Sequence, residues 1–117
     1  LIDDDDLVRA VVATRLKSLG CYYVEAGNGE EGLERYRQEK SAIDVVILDM
    51  SMPVMDGAEC FEQLRKINPA VKVILSSGYS ERDLVERVDS TLLSGHLHKP
   101  YEMDALKRVL NKVLNQG

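Results

Sequence analysis

Five polar side chains stand where short strands would end in this chain of 117 residues. Asp3 and Asp4 follow Leu1-Ile2, and Asp49 follows Val45-Val46-Ile47-Leu48. Ser77 follows Val73-Ile74-Leu75-Ser76, and Lys99 follows His96-Leu97-His98. Three carboxylates, a hydroxyl and an ammonium are the donor set for a hard divalent cation and a phosphoryl group. Oxygen ligands suit Mg2+, while lysine and hydroxyl suit phosphoryl oxygens. Adjacent carboxylates repel each other unless a cation compensates them, so Asp3 and Asp4 read as metal ligands. A plainer role is open too, since residues 3–6 are an acidic run where a helix dipole favours negative charge. That accounts well for Asp5 and Asp6, and less well for two residues that should close a strand. Asp49 reads as a metal ligand, a nucleophile or a cap, although Asp56 is better placed to cap the helix that follows. Gly78 lets the backbone beside Ser77 come close to a ligand, and Ser76 should face the other way.

The elements that must carry these residues can be read from periodicity. Residues 7–19 place Leu7, Val8, Val11, Val12, Leu16 and Leu19 at helical spacing, with Asp5 or Asp6 to cap the start and Gly20 to end it. Residues 21–26 read as a strand, and Asn28 or Gly29 opens a weaker helix to about residue 40. Residues 43–48 are almost continuously apolar, as in a strand buried on both faces of a parallel sheet. Asp56 caps a helix with Phe61, Leu64 and Ile67 on one face, closed by Pro69. Residues 71–77 form a further strand, and Ser80 caps a helix through Leu84, Val85 and Val88 with a weak apolar stripe. Residues 96–98 are a short strand stopped by Pro100, and Met103, Leu106, Val109, Leu110, Val113 and Leu114 make a strongly amphipathic helix. This is βα repeated five times with short connections, the pattern of a parallel sheet with helices on both faces. In such sheets the C-terminal strand ends open onto one crevice, and ligands bind there. Residues as far apart as Asp3 and Lys99 are therefore expected to meet.

The totals fit one soluble domain. A net charge of −5, without a Lys/Arg cluster, argues against nucleic acid as a direct partner. No apolar run is long enough to span a membrane, so no membrane contact and a cytoplasmic setting are expected. Cys21 and Cys60 match no metal spacing and read as reduced thiols. Two residues before the acidic run are few for a buried strand. The first strand is thus expected to be clipped, and residues 1–117 to be a single domain cut from a longer protein.

At this point the chain resembles the receiver domains of two-component response regulators. Asp3-Asp4, Asp49, Met52-Pro53, Asp56-Gly57, Ser77-Gly78 and Lys99-Pro100 carry the resemblance, as do the intervals of 28 and 22 positions from Asp49 to Ser77 and on to Lys99. It spans the whole chain. It implies a flavodoxin-like (βα)5 three-layer sandwich with a parallel five-stranded sheet in the order 2-1-3-4-5. It also implies that Asp49 takes a phosphoryl group from the phosphohistidine of a histidine kinase or histidine phosphotransfer domain. Asp4, Asp49 and the Ser51 backbone carbonyl would ligate Mg2+, with Asp3 acting mostly through water. Ser77 and Lys99 would bind phosphoryl oxygens, and the Lys99–Pro100 bond would be cis. The domain would not be an enzyme beyond its own phosphorylation and dephosphorylation. Its readout surface, and the surface of any dimer, would be the fourth helix, fifth strand and fifth helix, over roughly residues 80–114. Residues 75–80 resemble receivers attached to sensory hybrid kinases, so the parent could be such a kinase.

This chain departs from the family pattern in places. His96 stands where relatives often carry Tyr or Phe, an aromatic that turns inward as the hydroxyl residue moves toward the phosphoryl group. Histidine brings polarity and a titratable ring, so the inward state at the Ser77–His96 switch is expected to be weaker or dependent on pH. His98 is expected to face solvent, pointing away from His96. Three rival readings are weaker. A haloacid-dehalogenase-type Mg-dependent phosphatase would carry its nucleophile on the first strand and a second Asp two residues on, where Ser51 stands here. A flavodoxin-type flavin carrier would need a phosphate loop in place of four aspartates. A receiver-like interaction module that is never phosphorylated would not need the full residue set. Ser51 and Tyr79, each two beyond a site residue, would flank the path of the hydrolytic water and tune the lifetime of the phosphoryl group. Tyr79→Ala is therefore expected to shorten the phosphoaspartate lifetime, measured as label lost over time; an unchanged or longer lifetime contradicts that role.

Overall fold

The computed structural model describes residues 1–78 and 88–115. Helix α1 is Asp6–Ser18, with Asp5 accepting hydrogen bonds from the backbone N–H groups of Leu7 and Val8. Gly20 follows it with φ +80°, a left-handed turn that lets the chain reverse into residues 21–26. Helix α2, Gly29–Glu39, is capped by Asn28, whose side chain accepts from the Glu31 N–H at 2.8 Å. Helix α3, Gly57–Ile67, is capped in the same way by Asp56, which accepts from Glu59 at 3.0 Å. Each such cap contributes on the order of 1 kcal/mol. Helix α4 is Met103–Leu114. The strands are β1, Val46–Asp49; β2, Val73–Ser77; and β3, Gly95–His98. The helix expected from Ser80 lies outside the described residues.

The three strands are parallel and ordered β1-β2-β3. Two further segments join this sheet through single residues: Ile2 bridges both Ala26 and Leu48 in parallel. Ala26, Ile2, Leu48, Leu75 and His96 thus form one row of paired residues across the sheet. That row is the 2-1-3-4-5 order. The strand expected over residues 21–26 is reduced to its last residue. It is tied to its neighbour by the Ala26 N–H donating to Leu1 and the Asp3 N–H donating to Ala26. Among the described residues no helix is long and apolar enough to cross a membrane.

Alternation on the central strands sends side chains to two apolar layers. Leu48, Val73 and Leu75 face α2 and α3, packing with Ile2, Leu33, Tyr36, Phe61 and Leu64. Ile47, Ile74 and Leu97 face α1 and α4, packing with Val12, Leu16, Leu106, Leu110 and Val113. Strands buried on both sides explain the unbroken apolar runs in the sequence.

One residue runs against local preference. Val54 has φ +68° and is 95% exposed. The Met55 N–H donates to the Pro53 carbonyl at 2.7 Å, closing a tight three-residue turn around Val54. A β-branched residue is disfavoured there, and its side chain buries almost nothing in return. Glycine removes the clash, at the expense of added freedom in the unfolded chain. Val54→Gly is expected to raise unfolding stability by about 0.5–1 kcal/mol, read from urea denaturation midpoints. A loss of stability would show that the Val54 side chain supports the turn.

Candidate functional site

The site is built where strand ends crowd together. Backbone hydrogen bonds tie those ends side by side. The Asp3 N–H donates to Ala26 at 3.1 Å, Asp49 to Ile2 at 2.9 Å, Met50 to Ser76 at 2.9 Å and Lys99 to Ser77 at 2.7 Å. The crevice therefore opens at the C-terminal edge of the sheet, where neighbouring crossovers leave a gap.

Asp3, Asp4 and Asp49 meet there. One carboxylate oxygen from each lies within 4.8 Å of the others. Asp3 and Asp49 are 2% and 3% exposed, whereas Asp4 is open to solvent. The Lys99 ammonium reaches across to Asp49 Oδ1 at 2.8 Å and to Asp3 Oδ2 at 3.3 Å. Among the described residues, Lys99 thus pairs with the two buried carboxylates, and Asp4 stands beside them at the open edge. Burial is the largest influence on Asp49 and pushes its carboxyl up to about 7; the Lys99 hydrogen bond opposes this, and the charge of Asp3 adds to it. Burial by itself would lower the Lys99 pKa, but the hydrogen bond and charge of Asp49, with Asp3 behind it, hold it above its usual range. An all-oxygen cluster with unbalanced negative charge fits a hard divalent cation.

The loop after β1 closes tightly over this point. The Gly57 N–H donates to the Met50 carbonyl at 2.8 Å, and a Cβ on Gly57 would sit 2.7 Å from the Asp49 carbonyl oxygen and the Met50 Cα. Only glycine allows that approach, which explains why Gly57 must follow the capping Asp56. Ser51 is exposed, and its N–H donates to Asp49 Oδ1 at 3.4 Å. The Lys99–Pro100 peptide is cis.

Ser77 behaves differently from the other four. It is 2% exposed, and its hydroxyl shares a 2.7 Å hydrogen bond with His96 Nε2 on the neighbouring strand. Its backbone carbonyl binds Lys99, but among the described residues its side chain bonds neither Asp49 nor the Lys99 ammonium. Burial, and then the neighbouring His98, hold the His96 imidazole below its ordinary pKa. The rings of His96 and His98 meet edge to face with centroids 4.4 Å apart. The expectation that His98 points away from His96 is therefore wrong. Residues two apart on a strand project from the same face, so only the expected exposure of His98 holds. Tyr79 lies outside the described residues.

Arg9 is a supporting residue that the sequence reading missed. Its guanidinium donates to the Asp3 carbonyl at 2.7 Å and to Asp6 Oδ1 at 2.6 Å, and lies 3.5 Å from Glu25. It fastens the acidic turn to the first turn of α1. A lone arginine one helical turn beyond an acidic run was the available signal. Arg15 similarly ties α1 to the Tyr101 carbonyl, just past the cis peptide.

Known proteins match along the same lines. The profile of the response regulator receiver domain matches residues 1–111. The chain is 30% identical over 117 residues to the Autoinducer 1 sensor kinase/phosphatase LuxN of Vibrio campbellii, covering all of this chain and 13% of that protein. It is 30% identical over 115 residues to the Chemotaxis protein CheY of Thermotoga maritima, covering 97% of this chain and 93% of that one. Among solved structures, a response regulator receiver domain protein from Clostridium thermocellum aligns with a TM-score of 0.92 at 28% identity, over 98% of this chain and 91% of that one. The chain spans only a small part of the kinase it resembles, and nearly all of the chemotaxis protein. With the profile and near-full-length relatives in agreement, the chain belongs to the response regulator receiver domain family and is a signalling domain of two-component systems.

Proposed function

We propose that Asp49 is the phosphoacceptor of this domain, taking a phosphoryl group from the phosphohistidine of a histidine kinase or histidine phosphotransfer domain. The observation that carries this reading is the convergence of Asp3, Asp4 and Asp49 within 4.8 Å, with Lys99 2.8 Å from Asp49. A carboxylate oxygen of Asp49 attacks phosphorus, the P–N bond breaks, and the donor imidazole leaves with the electron pair. Such transfers need alignment and charge neutralisation more than acid–base machinery. Lys99 is placed to take a phosphoryl oxygen as its bond to Asp49 yields. Asp3, Asp4, Asp49 and the Ser51 carbonyl would hold Mg2+, which supplies positive charge to the equatorial oxygens. Ser77 would bind a phosphoryl oxygen and, with His96, form the switch. Ser51 and Tyr79 would tune hydrolysis. The setting is cytoplasmic, without direct contact to nucleic acid or membrane. The readout, and any dimer, would use residues 80–114, part of which lies outside the described residues. The parent is a hybrid kinase or a response regulator.

Two measurements test this. Acetyl phosphate with Mg2+ is expected to label the protein with a hydroxylamine-labile phosphoryl group, and EDTA or Asp49→Asn to abolish the label. Hydroxylamine-labile label persisting in Asp49→Asn would move the acceptor elsewhere.

The charge imbalance makes a second prediction, for stability without metal. Asp49 is buried with a raised carboxyl pKa, so between the ordinary carboxylate range and about pH 7 the folded state binds more protons than the unfolded one. Metal-free stability attributable to Asp49 is therefore full at low pH and falls as pH rises through that window. Asp49→Asn is expected to flatten this slope and to stabilise the metal-free protein at pH 8 by roughly 2 kcal/mol. Mg2+ should then raise the melting temperature of the wild type and not of the variant. Equal pH slopes in the two proteins would contradict the electrostatic account.

A further inference from the structure

Ser77 Oγ and His96 Nε2 lie 2.7 Å apart, and Ser77 is 2% exposed. A hydroxyl carries one proton to donate, and leaving a buried donor unpaired is costly. Among the described residues, His96 Nε2 is the hydrogen-bonding partner of this hydroxyl, and the imidazole tautomer sets which of the two donates. Burial, and then His98, disfavour the charged imidazole, and a neutral imidazole has one ring nitrogen that accepts. Phosphoryl oxygens only accept hydrogen bonds. With the imidazole proton on Nδ1, the single proton that Ser77 would give to a phosphoryl group is already engaged.

We propose that His96 is a positioning residue for Ser77: its Nε2 accepts the Ser77 hydroxyl proton in the phosphoryl-free protein, and a phosphoryl group on Asp49 must compete with it for that hydrogen bond. The inference rests on the phosphoacceptor reading and adds this chain's own constraint to it. A phenyl or phenol side chain in place of His96 has no ring nitrogen to accept this proton. His96 therefore opposes the loaded state through a polar contact, which steric gating alone would not produce. The same ring meets His98 edge to face, with centroids 4.4 Å apart.

The test uses beryllofluoride with Mg2+ as the phosphoryl mimic, its binding followed by 19F NMR. His96→Phe is expected to bind beryllofluoride about 3- to 10-fold more tightly than the wild type, the worth of one neutral hydrogen bond. His96→Gln, whose amide oxygen can accept the same proton, is expected to restore the wild-type affinity. In a Ser77→Ala background, His96→Phe is expected to change nothing. On the wild type, 15N spectra of the imidazole should show the Nδ1–H tautomer, with the Nε2 resonance moving when beryllofluoride and Mg2+ are added. Those spectra decide the matter if the Phe variant does not fold. Unchanged or weaker binding in His96→Phe, an equal gain in the Ser77→Ala background, or an Nε2–H tautomer overturns the proposal. Absence of any Mg2+-dependent beryllofluoride binding by the wild type would instead sink the phosphoacceptor reading.

Discussion

A single ammonium among three carboxylates sets the character of this molecule. Lys99 bonds Asp49 at 2.8 Å and stands 3.3 Å from Asp3, with Asp4 completing the acidic group. In water such a cluster would be modestly repulsive. In a crevice where two of the three acids are almost fully buried, each charge interacts more strongly with the others and less with solvent. Lys99 holds the crevice together without neutralising it. The remaining negative charge suits a hard divalent cation.

The rest of the fold keeps these charges from moving apart. Four consecutive strand-end contacts are backbone hydrogen bonds, so the carboxylates and the ammonium sit on a frame whose spacing is set by sheet geometry. Gly57 lets the following loop rest directly on the chain beside Asp49, and Arg9 fastens the turn carrying Asp3 and Asp4 to α1. Apolar layers on both faces lock the frame from above and below. Preorganisation of this kind lowers what must be rearranged when charge develops during transfer.

The edge of the sheet is organised by a different rule. Inside the cup the contacts are ionic; at β3 a hydrogen bond joins Ser77 to His96, whose ring meets that of His98 edge to face. The Ser77 hydroxyl is therefore bonded to the outermost strand, while the carboxylates sit at the centre of the sheet.

Much was legible in the sequence because it depended on local pattern. Continuous apolar runs marked β1 and β2, Asp5, Asn28 and Asp56 were readable as caps, and a polar residue after each run marked the crevice. Strand-end position, with a known ordering of elements, was enough to bring Asp3, Asp4, Asp49 and Lys99 together before any coordinates. What the sequence could not decide was which partner each side chain would choose. The turn of the Ser77 hydroxyl toward His96 rather than the cup depends on the separation of two neighbouring strands, and the grip of Arg9 on the Asp3 carbonyl and the left-handed turn at Val54 depend on how the surrounding chain holds those short segments. Periodicity fixes which face a residue occupies. Only packing of the whole chain sets the separation and angle on which a hydrogen bond depends.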